Sequence, residues 1–322
     1  MIYRLLGRTG IQVPVVSFGA GPVSGLMTGA DVDAQLAAVK AAMVAGINWF
    51  DTAPGYGLGQ SEANLGRALA ELKATENVNI ATKVRVPLDQ LANCGDFIRR
   101  SMEESLQRLR VDRVTLLQLH NGLTARCNDE PAAISPADVL RNGGVLDAFR
   151  KLRDEGLVSW LGLTGTGQPA AMREVIRSGG FDTVQTPYNL LNPSAGASPP
   201  SAPDPDYGNI MADCSAMNMG VFAIRVLAGG AVLDQPPSAH TKTTPYFPLD
   251  LYERDRARCR RLAERIGGRI SMTELAIRFA LSHSAVSSTI IGIGSVGHVS
   301  EFANFNLAEP LDHELMRLCH GV

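Results

Sequence analysis

Eight short apolar runs recur along the chain, and amphipathic stretches of helical periodicity separate most of them. The runs are mostly continuous rather than alternating, which is typical of parallel strands that are covered on both faces or closed into a barrel. Eight strand–helix units in one chain predict a (β/α)8 TIM barrel of the α/β class. The predicted strands lie at residues 15–19, 47–51, 78–83, 114–120, 158–164, 183–186, 221–224 and 289–292.

The length of the chain fits one such barrel with insertions. A (β/α)8 barrel typically needs about 250 residues, so the 322 residues predict a single domain over residues 1–322. Residues 3–14, two extended pieces around an Arg-Thr-Gly turn, predict a β-hairpin plug under the barrel. Three long connections, 121–143, 190–207 and 229–252, follow the fourth, sixth and seventh strands. Because each follows a barrel strand, we expect all three over the C-terminal face. Long loops in a compact domain are usually functional lids or mobile segments.

Charge and hydropathy exclude several classes of protein. The 30 Lys and Arg residues balance 32 Asp and Glu residues to a net charge of −2, unlike the basic surface of a nucleic-acid-binding protein. No uncharged apolar run approaches the ~20 residues of a membrane span, and the first residues contain no apolar core of a secretory signal. We therefore expect a cytoplasmic protein that acts on a small molecule.

The cysteines and histidines do not predict a metal site. The five cysteines are scattered without a Cys-x-x-Cys pair, as expected of unpaired thiols in a reducing compartment. The six histidines include no two at the i, i+2 or i, i+4 spacing that common histidine metal sites use. This spacing excludes a histidine-clustered metallohydrolase.

Four polar side chains follow three successive predicted strands at the point where each strand ends. Asp51 ends the second strand, Lys83 the third and His120 the fourth. Tyr56 lies in the glycine-rich loop after Asp51. Each alone has an ordinary structural explanation as a cap, a lid aromatic, a solvated charge or a strand-end polar group. Together they predict chemistry, because active sites of such barrels lie at the C-terminal strand ends and a buried lysine requires a partner.

These residue types suit proton transfer to or from an oxygen atom. A free phenol titrates near pH ~10, and an adjacent ammonium stabilises the phenolate form. We expect Asp51 to hold the Lys83 ammonium charged and in place, and His120 to orient a substrate oxygen through a hydrogen bond. None of the four is a reactive nucleophile or supplies the electron pair of a reduction. A cofactor must therefore supply it.

The motifs around these residues extend along most of the chain. They read Asp-Thr-Ala-Pro-Gly-Tyr-Gly at 51–57, Gly-Gln-Ser-Glu at 59–62, Ala-Thr-Lys at 81–83, Leu-Gln-Leu-His-Asn at 117–121, Gly-Leu-Thr-Gly at 162–165, Gln-Thr-Pro-Tyr-Asn-Leu-Leu at 185–191 and Leu-Ala-Gly-Gly at 227–230. In this order and spacing the sequence resembles the aldo-keto reductase family, most of all its bacterial branch near aldose (fucose, galactose) dehydrogenases. The resemblance implies a barrel that binds a nicotinamide cofactor without a Rossmann domain. It also implies Tyr56 as general acid/base, Lys83 and Asp51 as its tuning pair, and His120 as the carbonyl-orienting residue.

One glycine-rich stretch carries a competing signal. Residues 292–297 read Gly-Ile-Gly-Ser-Val-Gly and match the G-x-G-x-x-G fingerprint of a Rossmann fold. Only 25 residues follow Gly297, too few for the remaining βαβ units. We interpret the stretch as a phosphate site on the last strand's loop and the following helix N-terminus. A glycine-rich turn without a ligand is the alternative.

The resemblance also implies cofactor contacts at the ends of the later strands. The implied cofactor-binding residues are Thr164, Gly165, Gln185, Ile224, Arg225, Leu227, Gly292, Gly294, Ser295, His298 and Glu301. The last loop lacks the Lys or Arg that NADP-preferring members often carry there. A neutral loop stabilises a dianionic 2′-phosphate less well than an arginine fork does. We therefore expect NAD(H) to be used at least as well as NADP(H), with Arg225 as a partial compensation.

The leading hypothesis is an NAD(P)-dependent oxidoreductase that acts on an aldehyde, ketone or aldose, or on the corresponding alcohol. The alternative is a cofactor-binding regulatory subunit with little turnover on the same barrel. A third hypothesis is an isomerase or lyase that uses Lys83 as a Schiff base. Substrate identity and oligomeric state stay open at this point. The candidate pocket walls are Phe18, Trp49, Tyr188, Tyr246, the three long loops and the tail 311–322.

Overall fold

The centre of the computed structural model is a closed barrel of eight parallel strands. The structure describes residues 1–197, 204–244 and 248–321. The strands are β1 Tyr3–Leu5, β2 Gln12–Pro14, β3 Val16–Gly19, β4 Trp49–Asp51, β5 Asn79–Val84, β6 Val114–Leu119, β7 Val158–Thr164, β8 Thr183–Pro187, β9 Gly220–Ile224 and β10 Val286–Gly292. β3 to β10 pair in sequence order, and β10 closes the barrel against β3. The predicted (β/α)8 barrel is therefore confirmed.

Helices connect the barrel strands and cover the outside of the barrel. They are α1 Val32–Val44, α2 Gln60–Glu71, α3 Cys94–Leu109, α4 Pro136–Leu140, α5 Val145–Asp154, α6 Pro169–Arg177, α7 Ile210–Ala216, α8 Ala239–Thr243, α9 Leu249–Ile266, α10 Met272–Leu281, α11 Val296–Ala303 and α12 His313–His320. Several begin at side-chain caps, as at Asp31 of α1 and Ser271 of α10. Within the described ranges, no helix combines the length and the apolar character that crossing a membrane requires.

Three segments that we predicted as loops or tail contain short helices. The connection 121–143 includes α4, which begins with a capping box between Ser135 and Asp138. The connection 229–252 includes α8, the start of α9 and a kinked 3-10 segment at Ala228–Leu233, whose backbone is non-helical at Gly229 and Gly230. The tail 311–322 includes α12, capped by Asp312. The helices α4, α8 and α12 have five to eight residues, too few turns for a hydrophobic period to be visible in the sequence.

The barrel interior consists of an apolar layer below a polar one. Trp49, Ala81, Leu116 and Phe222 form one apolar cluster with residues of the β1–β2 hairpin. The indole of Trp49 packs on the Phe222 ring with centroids 5.0 Å apart. Side chains two residues further along a strand point to the same face, so the next layer inside the barrel begins with the polar residues of the strand ends.

The N-terminal hairpin closes the bottom of the barrel, as predicted. β1 and β2 pair antiparallel, and Leu6 and Val13 belong to the apolar cluster of the barrel interior. Arg8, in the turn, donates from Nε to Asp182 Oδ1 at 3.0 Å. It also donates from Nη2 to the carbonyl of Phe181 at 2.7 Å. The hairpin is thus tied to the segment before β8, at the N-terminal end of the strands.

Candidate active site

A cavity of about 1400 Å³ opens at the C-terminal ends of the barrel strands. It is larger than the usual 300–1,000 Å³ of a small-molecule pocket, so it has room for an extended ligand together with a small one. Its walls include Asp51, Tyr56, Lys83 and His120. The long connections after β6, β8 and β9 also contribute to the walls, on the C-terminal face where we expected them. The sequence-predicted set of four is therefore brought together in one cavity.

Lys83 joins the carboxylate and the phenol of the set. Its Nζ donates a short hydrogen bond to Asp51 Oδ1. It also donates to the Thr52 carbonyl at 2.9 Å and to the Tyr56 hydroxyl at 3.3 Å. Lys83 is 2% exposed and Asp51 is 3% exposed. A buried ammonium with three acceptors is the arrangement that keeps a lysine charged inside a protein.

Two glutamines complete the surroundings of Asp51. Gln118 Nε2 donates to Asp51 Oδ2 at 3.1 Å, and Gln185 Nε2 donates a short bond to the same oxygen. Gln118 was present in the motif at 117–121 but had no predicted role. Its position two residues before His120 places it on the inner face of β6. This two-residue alternation was the sequence signal that could have identified Gln118 as part of the site. Gln185, which the resemblance predicts as a cofactor contact, binds Asp51 through its amide nitrogen and also lines the cavity.

The electrostatic environment sets the charge states of Lys83 and His120. Burial lowers the pKa of the Lys83 ammonium, but the charges of Asp51 and Tyr56 more than offset it, so that pKa lies above its usual value. Burial, and after it the positive charges of Lys83 and Arg85, hold the pKa of His120 well below its usual value. At neutral pH the site therefore contains an ammonium beside a neutral imidazole.

The Tyr56 and His120 rings lie edge to face at the mouth of the site. Their centroids are 5.9 Å apart, and the ring planes are nearly perpendicular at 84°. Both side chains are partly exposed to the cavity. A carbonyl oxygen placed between the phenol and the imidazole therefore has two polar groups within reach. The arrangement can hold an oxygen atom and exchange a proton with it.

The loop that carries Tyr56 is supported by a partly buried ion pair, which we call the Glu62–Arg108 pair. Glu62 is fully buried and accepts from Arg108 Nε at 2.8 Å and from Thr82 Oγ1 at 2.5 Å. Gly59, at φ +89°, lies against the arginine stem, and a Cβ there would approach Arg108 Cδ to 2.8 Å. Only glycine adopts this backbone without strain at so close an approach.

Most of the predicted cofactor residues line the same cavity, on the side of β8, β9 and β10. They are Thr164, Gln185, Ile224, Arg225, Leu227, Gly292, His298 and Glu301. Arg225 has a backbone φ of +55°, and its carbonyl accepts a hydrogen bond from the Asn189 side chain at 2.9 Å. The hydroxyl of Thr164 is buried and has no hydrogen-bond partner among the described residues. A ligand atom in the cavity would satisfy this hydroxyl.

Three predicted cofactor residues do not line the cavity wall. Gly165 lies behind it, where a Cβ would meet side chains of Ile210 and Val184 within 3 Å. Gly294 donates its backbone N–H to His298 Nδ1 at 3.2 Å. Ser295 caps α11 and accepts from the His298 backbone N–H. The two residues of the last loop therefore shape the turn that presents His298.

The predicted aromatic walls were wrong for three positions. Phe18 and Trp49 are fully buried in the core, because they precede the strand ends. Tyr188 is 6% exposed and stacks on Phe279 with centroids 5.7 Å apart. Tyr246 lies outside the described residues. Among residues 1–197, 204–244 and 248–321, those that line the cavity include none of α12. The expectation that the short tail contributes to the pocket wall was therefore wrong for this helix.

In the described part of the chain, no group of three or more His, Cys, Asp or Glu residues is arranged to hold a metal ion. All five cysteines are free, and Cys127 is the exposed one.

Comparison with known sequences gives full-length similarities. A family model described as "Aldo/keto reductase family" matches residues 15–322. L-Galactose dehydrogenase of Arabidopsis thaliana is 26% identical over 301 residues, which cover 92% of this chain and 86% of that protein. D-threo-Aldose 1-dehydrogenase of Pseudomonas sp is 26% identical over 331 residues, which cover 93% and 91% of the two proteins.

Comparison with solved structures gives the same fold. A glycerol dehydrogenase from Gluconobacter oxydans superposes with a TM-score of 0.72 at 25% identity, covering 99% of this chain and 94% of that one. An aldo-keto reductase from Bacillus halodurans superposes with a TM-score of 0.74 at 22% identity, covering 100% and 96%.

Proposed function

Because the chain belongs to the aldo/keto reductase family and is therefore an NAD(P)-dependent oxidoreductase, we propose that Tyr56 is the acid/base of hydride transfer at a carbonyl or alcohol carbon. The single observation that carries this proposal is the chain of contacts from Asp51 through Lys83 Nζ to the Tyr56 hydroxyl. The ammonium stabilises negative charge on the phenol oxygen. A phenol within hydrogen-bond reach of that ammonium is placed to exchange a proton with an oxygen atom bound in the cavity.

The residues on the cavity wall fit a nicotinamide nucleotide. The buried Thr164 hydroxyl, unpartnered among the described residues, is available for the carboxamide, and Ile224 adds an apolar side chain to the wall of the same cavity. The cavity continues to Gly292 and His298 at the start of α11, where a helix N-terminus favours a phosphate. When bound, the nucleotide supplies or accepts the hydride.

The protein's own residues position the substrate and move the proton. His120, neutral because its pKa is depressed, donates a hydrogen bond to the substrate oxygen and orients it. In reduction, the Tyr56 hydroxyl protonates that oxygen as it gains electrons. In oxidation, the Tyr56 phenolate takes the hydroxyl proton, and Lys83 stabilises the phenolate in both directions. Substrates of the relatives include galactose and threo-aldoses, and we propose aldehydes, ketones and aldoses as the substrate range.

The variant Tyr56→Phe tests the role of the phenol. We expect turnover to fall by at least about 10²-fold, because a general acid/base contributes 10² to 10⁴. Nucleotide affinity, measured by fluorescence titration, should be unchanged. Tyr3→Phe, in the hairpin at the other end of the barrel, is the matched control. Equal turnover in Tyr56→Phe and the unchanged protein contradicts the proposed role of Tyr56. Nucleotide binding without turnover in the unchanged protein would favour the regulatory alternative.

A Schiff-base isomerase or lyase is disfavoured by the state of Lys83. A nucleophilic amine must be unprotonated, whereas the pKa of Lys83 is raised by its neighbours. Reductive trapping of a carbonyl compound by borohydride would be the positive result for that alternative.

We further propose that NAD(H) is used at least as well as NADP(H). Residues 292–301 contain no Lys or Arg, and Glu301 on the cavity wall adds a negative charge there. A dianionic 2′-phosphate would therefore be poorly stabilised. Steady-state kinetics with both nucleotides tests this proposal, and His298→Arg is expected to improve NADP(H) use more than NAD(H) use. Strong NADP preference with undetectable NAD turnover in the unchanged protein contradicts it.

A further inference from the structure

Arg85 places a second positive charge beside the reacting groups. It is the residue after β5, two positions beyond Lys83, and its exposed side chain lines the cavity together with Tyr56 and His120. Its Nη2 reaches the His120 carbonyl only at 3.5 Å, the limit of a hydrogen bond. No ion pair of Arg85 occurs among residues 1–197, 204–244 and 248–321. Its remaining guanidinium donors are therefore available to a ligand.

A second arginine of the same wall is also without a carboxylate. Arg100, on α3, is exposed and lines the cavity. Its neighbours on α3 are ion-paired: Arg99 with Glu155, and Arg108 with Glu62. Within the part of the chain that the structure describes, no Asp or Glu oxygen lies within 4.0 Å of Arg100. Arg100, which faces the cavity, thus differs from Arg99 and Arg108 in having no carboxylate partner among the described residues.

The carboxylates that line the cavity do not cancel this charge near His120. Asp51 is bonded to Lys83, and Glu104 lies 3.7 Å from Arg108. Asp204 and Asp255 are both paired with Arg254. Glu301 belongs to α11, on the other side of the cavity, and Glu130 acts on the phenol of Tyr207. The charges that act on His120 are both positive, from Lys83 and Arg85.

Resting on the carbonyl chemistry proposed above, we propose that the substrate carries a carboxylate, which Arg85 binds while the carbonyl lies between Tyr56 and His120. The planar guanidinium offers two parallel N–H donors that match the two oxygens of a carboxylate. Arg100 adds positive charge on the same wall and favours the approach of an anion. The substrate class is therefore an oxo acid or, in the reverse direction, a hydroxy acid.

The test compares two aldehydes of equal chain length. Butanal and 4-oxobutanoate differ only in that a carboxylate replaces the terminal methyl group. We expect the unchanged protein to have the higher kcat/KM for 4-oxobutanoate. Arg85→Gln is expected to reduce the ratio of the two kcat/KM values by about 10- to 100-fold, as for loss of a charge-assisted bond. Arg85→Lys should restore part of the ratio, because it keeps the charge without the fork.

A matched control separates this effect from a general loss of charge. Arg113 is exposed and immediately precedes β6, at the N-terminal end of the barrel, so Arg113→Gln should leave the ratio unchanged. The inference is overturned if the unchanged protein does not favour 4-oxobutanoate, or if Arg85→Gln keeps the ratio. It is also overturned if the kcat/KM ratio of glyceraldehyde 3-phosphate to glyceraldehyde exceeds the ratio of 4-oxobutanoate to butanal. The site would then recognise phosphate rather than carboxylate.

A binding measurement distinguishes this inference from the proposed function itself. If no carbonyl compound is reduced, the proposed function fails, and 4-hydroxybutanoate is titrated calorimetrically into the protein saturated with NADH or NADPH. Binding that Arg85→Gln weakens supports the carboxylate site without any turnover. Absence of binding, or binding that Arg85→Gln leaves intact, overturns it. If butanal and 4-oxobutanoate are reduced equally well, the proposed function stands and this inference fails.

Discussion

Each oxygen of the Asp51 carboxylate is held by side chains from other strands. Lys83 of β5 binds one oxygen, while Gln118 of β6 and Gln185 of β8 bind the other. The carboxylate is 3% exposed, and a buried charge is tolerated only with such partners. The same side chain therefore supports both the barrel and the charge on Lys83.

Removal of the ammonium tests how far the fold depends on this pair. Lys83→Met leaves Asp51 as a buried carboxylate without its cation. We expect the free energy of unfolding to fall by about 3–5 kcal/mol, the cost of breaking a buried ion pair from one side. Urea denaturation measures the change.

The double variant Asp51→Asn, Lys83→Met is the internal comparison. It removes both charges, so we expect it to be more stable than Lys83→Met alone. Lys40→Met, an exposed lysine on α1, should change the unfolding free energy little. A double variant that is less stable than Lys83→Met by the full cost of Asp51→Asn would show that the two residues are not coupled.

At the residue scale, the sequence predicted the four polar groups but not all of their partners. Asp51, Lys83 and His120 were visible because each follows an apolar run directly. The resemblance predicts Gln185 as a cofactor contact, but nothing in a linear sequence shows that its amide also reaches Asp51 across the barrel interior. The roles proposed for these residues in catalysis stay predictions until the variants are measured.

The N-terminal half of α2 and the C-terminal half of α3 together hold the Tyr56 loop. The Glu62–Arg108 pair connects the two helices, and Thr82 of β5 binds the same carboxylate. Ser61, next to Glu62, donates to the Ala20 carbonyl at 2.8 Å and bonds the Thr52 hydroxyl at 2.8 Å. The position of the phenol thus depends on contacts outside the cavity.

The variant Arg108→Met tests this support. It leaves Glu62 buried without its cation, and we expect a loss in unfolding free energy at the lower end of the about 3–5 kcal/mol range, because Arg108 is 27% exposed. We also expect kcat/KM to fall by up to about 10²-fold, since a misplacement of ~1 Å can cost that much. Circular dichroism and steady-state kinetics give the two readouts.

The control for this variant comes from the same helix. Arg99 pairs with Glu155 on the protein surface, where ion pairs contribute little. Arg99→Met should therefore keep both stability and activity. If Arg108→Met loses stability and keeps full kcat/KM, the ion pair supports the fold and not the position of Tyr56.

At the scale of elements, the strands were predictable and the short helices were not. Continuous apolar runs of four to seven residues identify strands buried on both faces. Each barrel strand overlaps its predicted run, although β10 begins at Val286, three residues before the run at 289–292. The five residues of α4 make little more than one turn, so no repeat is visible. The signal for the start of these short helices was the capping residue, Ser135 for α4 and Ser238 for α8.

The stability of the whole molecule is expected to depend on pH at both ends of the range. The pKa of His120 is lowered in the folded state, so below the ordinary value near 6.5 the unfolded chain binds a proton that the folded protein does not. Stability then falls as the pH decreases. The pKa of Lys83 is raised in the folded state, so its contribution is complete below about pH 10.4 and is lost as the pH rises through the higher folded value.

Urea denaturation between pH 5 and pH 8 measures the acid side. One proton changes the unfolding free energy by at most about 1.4 kcal/mol per pH unit. His240 and His283 also have lowered pKa values through burial, so the comparison is with His120→Gln, which should have a shallower acid slope. Parallel curves for the two proteins would assign the slope to the other histidines.

For the whole molecule, the regular part of the barrel was predictable and the cavity wall was not. Strand order and the plug followed from runs and turns in the sequence, as the pairing of β10 with β3 shows. The cavity wall depends on irregular loops, whose backbone has positive φ values at residues such as Arg225 and Ala228. No hydrophobic period encodes such conformations.

The bonding of Asp51 to three other strands has a consequence for how such proteins diverge. A mutation at any one of these strand ends leaves a bonded neighbour unsatisfied in the interior, so a lineage that abandons the chemistry does not drift there one position at a time. Proteins of such a lineage must replace several of these side chains nearly together, or keep all of them although they no longer serve catalysis. Retention of the set in a descendant is then partly a record of folding history.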